Sequence, residues 1–205
     1  MQTIESNSAP PETDELASFA RDMDHIMDLH NFFKNNEERF TLFTKLRGRM
    51  KLPEDFFEVF SNAFDDDDNL NAEKYPAISA FRNRINATKS KIIQRMQSIL
   101  SDQSMKEKLS DTGYTVIEGR YCLMLKNTYK KGVGIVHGSS NTGRTIYVEP
   151  MDIVEVTNEM KSLTGQLRAE ENRILLEMCR SISQHRVAVR ACLDCVMPGY
   201  HISLE

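Results

Sequence analysis

Apolar residues recur at steps of three and four along most of the chain, and that spacing predicts amphipathic helices. From about Asp14 to Phe64 the stripe runs through Leu16, Phe19, Met23, Ile26, Met27 and Leu29, then Phe32, Phe33, Phe40, Phe43 and Leu46. Pro53 interrupts it, and Pro53-Glu54-Asp55 suits the start of another short helix. Asp65 to Asp68, followed by Asn69, reads as a loop, because adjacent carboxylates repel one another. From about Pro76 to Leu109, Ile78, Phe81, Ile85, Lys89, Ile92, Met96, Ile99 and Leu100 keep helical spacing, with Arg82, Arg84, Lys91 and Arg95 on the opposite face. No Gly or Pro follows Pro76 there, so a helix of about 50 Å is expected at 1.5 Å per residue.

The period changes at Tyr114. Tyr114-Thr-Val-Ile is β-rich and Glu118-Gly119 is a turn signal. Arg120 to Lys126 then alternates, with Tyr121, Leu123 and Leu125 on one side and Cys122, Met124 and Lys126 on the other, as a half-buried strand does. Lys130-Lys131-Gly132 reads as a turn, Val133 to His137 as a short strand, Gly138 to Gly143 as a polar loop and Thr145 to Val148 as another strand. Three or four short antiparallel strands are expected. Glu149-Pro150 and Asp152 then open a helix. Its stripe from Ile153 through Met178 to Val196 approaches heptad spacing, and Pro198-Gly199 ends it.

The fold expected is mainly α: a long antiparallel helical lever, with a small antiparallel β clamp inserted between its two long helices. Its parts are a disordered tail at 1–13, a helical core piece at 14–73, the first lever helix at 74–112, the clamp at 113–148, the second lever helix at 149–197 and a tail at 198–205.

Bulk composition narrows the class. The 205 residues contain no Trp and few Gly, nine in all, which favours helix. No apolar run approaches the roughly 20 residues that span a bilayer, so no membrane partner is expected. The first residues lack both a basic start and an apolar stretch, unlike a secretory signal. Cys122, Cys179, Cys192 and Cys195 are too sparse for a disulfide scaffold, which points to reduced thiols in an intracellular protein.

The net charge of −4 conceals an asymmetry. Residues 1–73 carry 7 Lys and Arg against 17 Asp and Glu, residues 74–147 carry 13 against 4, and residues 148–205 carry 6 against 9. A basic middle between acidic ends suits a polyanion partner for the middle alone, although a solvated basic surface has the same composition.

Several motifs fail for lack of context. Gly138-Ser-Ser-Asn-Thr-Gly143-Arg144-Thr145 nearly matches a phosphate loop, but Arg stands where Lys belongs and a β-like segment follows instead of a helix N-terminus. Gly132-Val-Gly134 is a weak dinucleotide fingerprint, and Cys192-x-x-Cys195 lacks the second pair that zinc needs. The Asp65–Asp68 run lacks the Gly and the distant Glu of a calcium loop. His25, His30, His137, His185 and His201 stand beside no nucleophile motif, so no catalytic constellation and no metal site is expected. By contrast, Arg120, Lys126, Lys130, Lys131, His137 and Arg144 cluster in the β segment with Ser140 and Asn141, a set suited to phosphate contacts that carry no sequence preference. The same set also describes a polar hairpin tip without a partner.

Gly119-Arg-Tyr-Cys-Leu-Met-Leu-Lys126, then Gly134-Ile-Val-His137, Ser140, Gly143, Thr145 and Glu149-Pro150, resembles the clamp segment of MutS-type proteins, in the anti-recombination branch usually called the second MutS family. That pattern reads roughly R-Y-x-x-x-V-K, then G-I-V-H-x-x-S-x-S-G-x-T-x-F-x-E-P, and is gapless from His137 to Pro150. Tyr147 stands for the Phe, Thr142 for the Ser before Gly143 and Leu125 for the Val before Lys126. By pattern the likeness extends over about residues 75–197.

The resemblance implies lever helices carrying a β clamp on DNA. ATP and Mg²⁺ are bound by the parent family's C-terminal ATPase, often with a nuclease domain beyond it. It also implies mismatched or branched DNA as ligand, structured RNA or the ribosome as further partners, and a homodimeric parent. The ATPase and nuclease segments would follow Glu205, so the chain is expected to be a fragment with no enzyme activity and no cofactor of its own. Lys126, Lys130, Lys131 and Arg144 are the expected phosphate contacts, ahead of Arg120 and His137, whose strand positions also suit structural roles. The rival is a helical dimerisation module without intrinsic DNA binding, in which the stripe at 153–196 pairs with a partner helix.

Overall fold

The computed structural model describes residues 13–40, 48, 52–129 and 132–196. They form two compact units, one within Ser79–Ala169 and one drawn from Met1–Ile78 and Glu170–Glu205. The predicted tails at 1–13 and 198–205, except Thr13, lie outside the described residues, as do Phe43, Leu46, Lys130 and Lys131. Among the described residues the fold is mainly α with one small antiparallel sheet, and no helix is long and apolar enough to cross a membrane.

The helical unit is organised by aromatic rings. Helix α1 (Thr13–Asn35) buries Leu16, Phe19, Met23 and Ile26, the first part of the stripe expected from spacing, whereas Phe32 near its end is 49% exposed. Helix α2 (Glu54–Phe60) follows Pro53 and buries Phe56, Phe57 and Phe60. Phe19 meets Phe60 with ring centroids 5.2 Å apart and Phe56 meets Phe60 at 4.8 Å, close enough for favourable ring packing. The acidic run is a loop, as its repelling carboxylates suggested: Asp65 Oδ1 accepts the backbone N–H groups of Asp67 and Asn69, and Arg21 pairs with Asp68.

Lys74 closes α2. Its ammonium donates to the carbonyls of Glu58 (2.6 Å), Val59 (3.0 Å) and Ser61 (2.7 Å), groups that a helix end leaves without intrahelical partners. Positive charge is also favourable at the carbonyl end of a helix.

The sheet unit contains most of helix α3 (Pro76–Ser101), the short α4 (Gln103–Lys106) and strands β1 (Leu109–Ile117), β2 (Arg120–Lys126), β3 (Gly134–Ser139) and β4 (Thr145–Pro150). It also contains helix α5 (Met151–Gln184) as far as Ala169. The strand order is β1-β2-β4-β3, antiparallel throughout. Glu118 and Gly119 join β1 to β2 as a two-residue turn, with φ of 48° and 74°. Both are left-handed, as tight hairpins require, and Gly119 adopts that region without a Cβ penalty.

The alternation read along β2 holds for its core face, whereas Cys122 on the other face is also 0% exposed. Tyr121, Leu123 and Leu125 are buried and, with Ile146 and Val148 of β4, form one core with Ile92 and Met96 of α3 and Ile153 and Val156 of α5. Register places Leu123 opposite Val148 and Leu125 opposite Ile146.

Four expectations are corrected. The first long helix stops at Ser101, short of Leu109 and of residue 112, because Asp102 turns extended and its carboxylate accepts the Ser104 N–H to start α4. The sheet accordingly begins at Leu109. Within α3, Thr88 takes the buried position and Lys89 is exposed, because a charged side chain leaves a core that a small hydroxyl can enter. Pro150 closes β4 instead of opening the helix. The second long helix turns locally at His185, whose Nδ1 lies 3.0 Å from the Ser181 carbonyl and whose ring packs on Phe56, before α6 (Arg186–Val196) resumes.

Replacing Lys74 by Met removes three charge-assisted hydrogen bonds while keeping most of the aliphatic stem. A loss of about 1–2 kcal/mol is expected, reduced from the value for fully buried bonds because the ammonium is half exposed. Urea unfolding followed by far-ultraviolet circular dichroism measures it.

Candidate nucleic-acid interface

Antiparallel pairing brings the start of β1, the end of β2, the end of β3 and the start of β4 to one end of the sheet. Leu109 pairs with Leu125, Lys126 with Thr145, and Ser139 with Ile146. Lys108, Lys126 and the loop Ser140–Arg144 are therefore brought together by register.

The backbone there is braced internally. Asn127 N–H donates to the Arg144 carbonyl (3.0 Å), and its side-chain amide donates to the Gly143 carbonyl (2.9 Å). Lys126 N–H donates to the Lys108 carbonyl (2.9 Å). Ser140 shapes the loop, its N–H donating to the Thr145 carbonyl (2.8 Å) while its hydroxyl accepts the Thr145 N–H (3.2 Å). The loop leads into strand β4, so it has no helix N-terminus with which to cradle a nucleotide phosphate chain.

The predicted site residues fall into three groups. Lys126, Asn141 and Arg144 are exposed at the sheet end. Lys126 Nζ donates to the Glu107 carbonyl (2.8 Å), which fixes the side chain without cancelling its charge. Arg144 has no ion-pair partner among the described residues. Ser140 is half-buried at the same end. Lys130 and Lys131 lie outside the described residues.

Arg120 and His137 form the third group, and both engage Glu149. This carboxylate is 0% exposed. Arg120 Nη1 lies 3.2 Å from its Oε1 and also donates to Asn158 of α5 at 2.7 Å. His137 Nε2 lies 2.8 Å from its Oε2. A carboxylate removed from water must be paired, and here it joins β2, β3 and β4, with α5 linked through the Arg120–Asn158 bond. Cys122, also buried, faces the same group. Burial and then the Glu149 carboxylate push its thiol up to about 11, against a smaller opposing effect of Arg120, so it stays protonated and unreactive at neutral pH.

Sequence reasoning placed Glu149 within a motif but assigned it no role in the site. Its alternation partner Val148 faces the core, so alternation alone puts Glu149 on the solvent side. Its two partners stand 29 and 12 residues earlier, and only the register reveals the pairing. Gly134 also acquires a reason. A Cβ there would lie 1.9 Å from the Glu149 carbonyl oxygen, so β3 approaches β4 as closely as it does only with Gly at this position.

No family model matches the chain. Curated relatives do. The protein named Endonuclease MutS2 from Pelotomaculum thermopropionicum is 26% identical over 184 residues, 89% of this chain and 23% of that protein. Its namesake from Lachnoclostridium phytofermentans is 36% identical over 112 residues, 54% of this chain and 14% of that protein. A third, from Maridesulfovibrio salexigens, is 35% identical over 124 residues, 60% of this chain and 16% of that protein. The chain thus spans 14% to 23% of the length of these relatives.

Substituting Glu149 by Ala leaves the Arg120 guanidinium without its carboxylate. A loss of about 3 kcal/mol is expected, at the low end of the range because Arg120 reaches solvent. Glu149→Gln keeps the shape and should lose less. Chemical unfolding of both variants tests the order, and equal stability of Glu149→Ala and the parent chain would sink it.

Proposed function

We propose that this chain, a relative of the MutS2 proteins, is the lever-and-clamp part of a MutS-type ATPase and grips nucleic-acid backbone with the end of its sheet. The observation that most supports this reading is the separation of charge between the two units. The stretch Ser79–Ala169 carries fourteen Lys and Arg against eight Asp and Glu, and the remainder carries twelve against twenty-two. A cationic unit in a chain whose other unit is acidic favours a polyanion at the first alone.

In this reading α3 and α5 are the levers and the sheet is the clamp. Lys126 and Arg144 contact phosphates, together with Lys130 and Lys131 of the β2–β3 connection, while Ser140 and Asn141 add neutral contacts. Such contacts position a protein on a duplex without reading its sequence. Arg120 acts indirectly, by holding Glu149. The ligand in the parent protein is mismatched or branched DNA, with structured RNA or the ribosome as further partners, and the parent acts as a homodimer. ATP and Mg²⁺ belong to the parent's ATPase. No catalytic step is assigned to this chain.

The test is fluorescence anisotropy of labelled duplex and four-way-junction DNA at several salt concentrations. The logarithm of affinity should fall with the logarithm of salt at about −0.9 per neutralised phosphate. Combined Lys130→Ala, Lys131→Ala and Arg144→Ala changes should flatten that slope by about 2–3 and weaken both DNAs alike. A folded chain that binds neither DNA at low salt refutes the proposal.

A further inference from the structure

Beyond Lys126 the chain makes a short 3-10 turn, Asn127–Tyr129. The strand order puts β2 between β1 and β4, so this turn emerges between the α4–β1 corner and the Ser140–Arg144 loop. It is held from both sides. Towards β1, Lys126 Nζ donates to the Glu107 carbonyl (2.8 Å). Towards β4, Asn127 donates to the carbonyls of Gly143 (2.9 Å) and Arg144 (3.0 Å). Lys126 and Arg144 are both exposed. The turn is therefore a braced piece of backbone with an exposed cationic residue on each flank.

Tyr129 is carried by that turn. It is 39% exposed, and among the described residues of Ser79–Ala169 every other aromatic is buried or half-buried. Tyr121 belongs to the core and meets Tyr114, with ring centroids 5.8 Å apart, whereas no ring among the described residues meets Tyr129. A single exposed ring is ordinary on a protein surface. The position of this one is informative, because it stands at the sheet end that carries the exposed cations. A 3-10 turn also brings residues three apart to one side, which returns Tyr129 to the side of Lys126.

We propose that Tyr129 is a stacking platform for an unpaired nucleobase, with Lys126 and Arg144 taking phosphates of the same strand. The inference rests on the nucleic-acid reading above and names what that reading lacks, a means of preferring branched or mismatched DNA over plain duplex. Phosphate contacts alone supply little such preference, because they position a protein on the backbone that every duplex presents. In a paired duplex each base is stacked on its neighbours, so a ring at the protein surface finds no base face to cover. An unpaired base exposes its π-face, and an aromatic side chain held in place can cover it. Every base has such a face, so the preference is for unpaired structure and not for sequence. The braced turn assists by reducing the freedom that stacking has to remove. The Tyr hydroxyl gives the exposed ring a polar edge that water can reach when no DNA is bound.

Fluorescence anisotropy of the full chain with two labelled DNAs tests this. One is a plain duplex, and the other has the same number of phosphates but ends in an unpaired thymine arm. At equal salt the parent chain should bind the second DNA about tenfold tighter. Tyr129→Ala should abolish that preference and leave duplex affinity unchanged, while Tyr129→Phe, which retains the ring, should keep it. A 2-aminopurine placed in the arm gives an independent signal. Stacking should quench it in the parent and in Tyr129→Phe, and no quenching is expected in Tyr129→Ala.

Equal affinity of the parent for the two DNAs overturns the platform. So does an unchanged preference in Tyr129→Ala, or an equal loss of both DNAs in that variant, which is what a merely structural role would produce. In each of these cases salt-sensitive binding by the parent leaves the clamp reading standing. A folded chain that binds neither DNA at low salt overturns both.

Discussion

The sheet unit depends on one buried charge. Glu149 lies at 0% exposure one residue before β4 ends, and an unpaired carboxylate in that position would cost several kcal/mol. Its partners come from elements distant in sequence: Arg120 opens β2 and reaches Asn158 of α5, and His137 comes from β3. The strand order β1-β2-β4-β3 makes this possible, because it puts β4 between the strands that carry Arg120 and His137. Replacing such a cluster by well-packed apolar residues need not cost stability. What it supplies is definition: β2 and β3 can satisfy the β4 carboxylate together in one register alone, while Asn158 of α5 accepts from Arg120.

That cluster also divides the basic residues by role. Arg120 is committed to a carboxylate, so its charge is balanced within the fold. Lys126 instead donates to a neutral carbonyl, that of Glu107, and Arg144 is exposed. Hydrogen bonding to a neutral acceptor orders a lysine side chain while leaving its charge to act outward. The residues grouped by composition as one basic set are thus two sets, a structural one at Glu149 and an outward-facing one at the sheet end.

Much of the fold was legible because it rests on local period. The stripes of α1, α3 and α5, the alternation along β2, and the Glu118-Gly119 turn all follow from residues within a turn or two of one another. What was misread depended on competition without punctuation. Nothing in Ile99-Leu-Ser-Asp-Gln-Ser-Met105 breaks a helix as Gly or Pro would, yet Asp102 caps a new one and ends the old. His185 interrupts a good helical pattern because its ring engages both the Ser181 carbonyl and Phe56. The candidate site was legible as charge but not as geometry. The cluster of cations could be counted, whereas the partners of Arg120 and His137 required strand order and register, neither of which a single sequence displays.

The same register argument bears on how an anion would be recognised. A surface of flexible lysines attracts polyanions over a wide area but discriminates little among geometries. Here the loop from Ser140 to Arg144 is closed by the Ser140 and Thr145 backbone pair and by Asn127, so its cation projects from a fixed frame. His137 is held still more firmly, with one ring nitrogen committed to Glu149. In the proposed reading, outward cations on a braced loop set the position of a phosphate as well as attracting it. In that reading such placement is the useful form of selectivity, because phosphate contacts position a protein on a duplex without reading its bases.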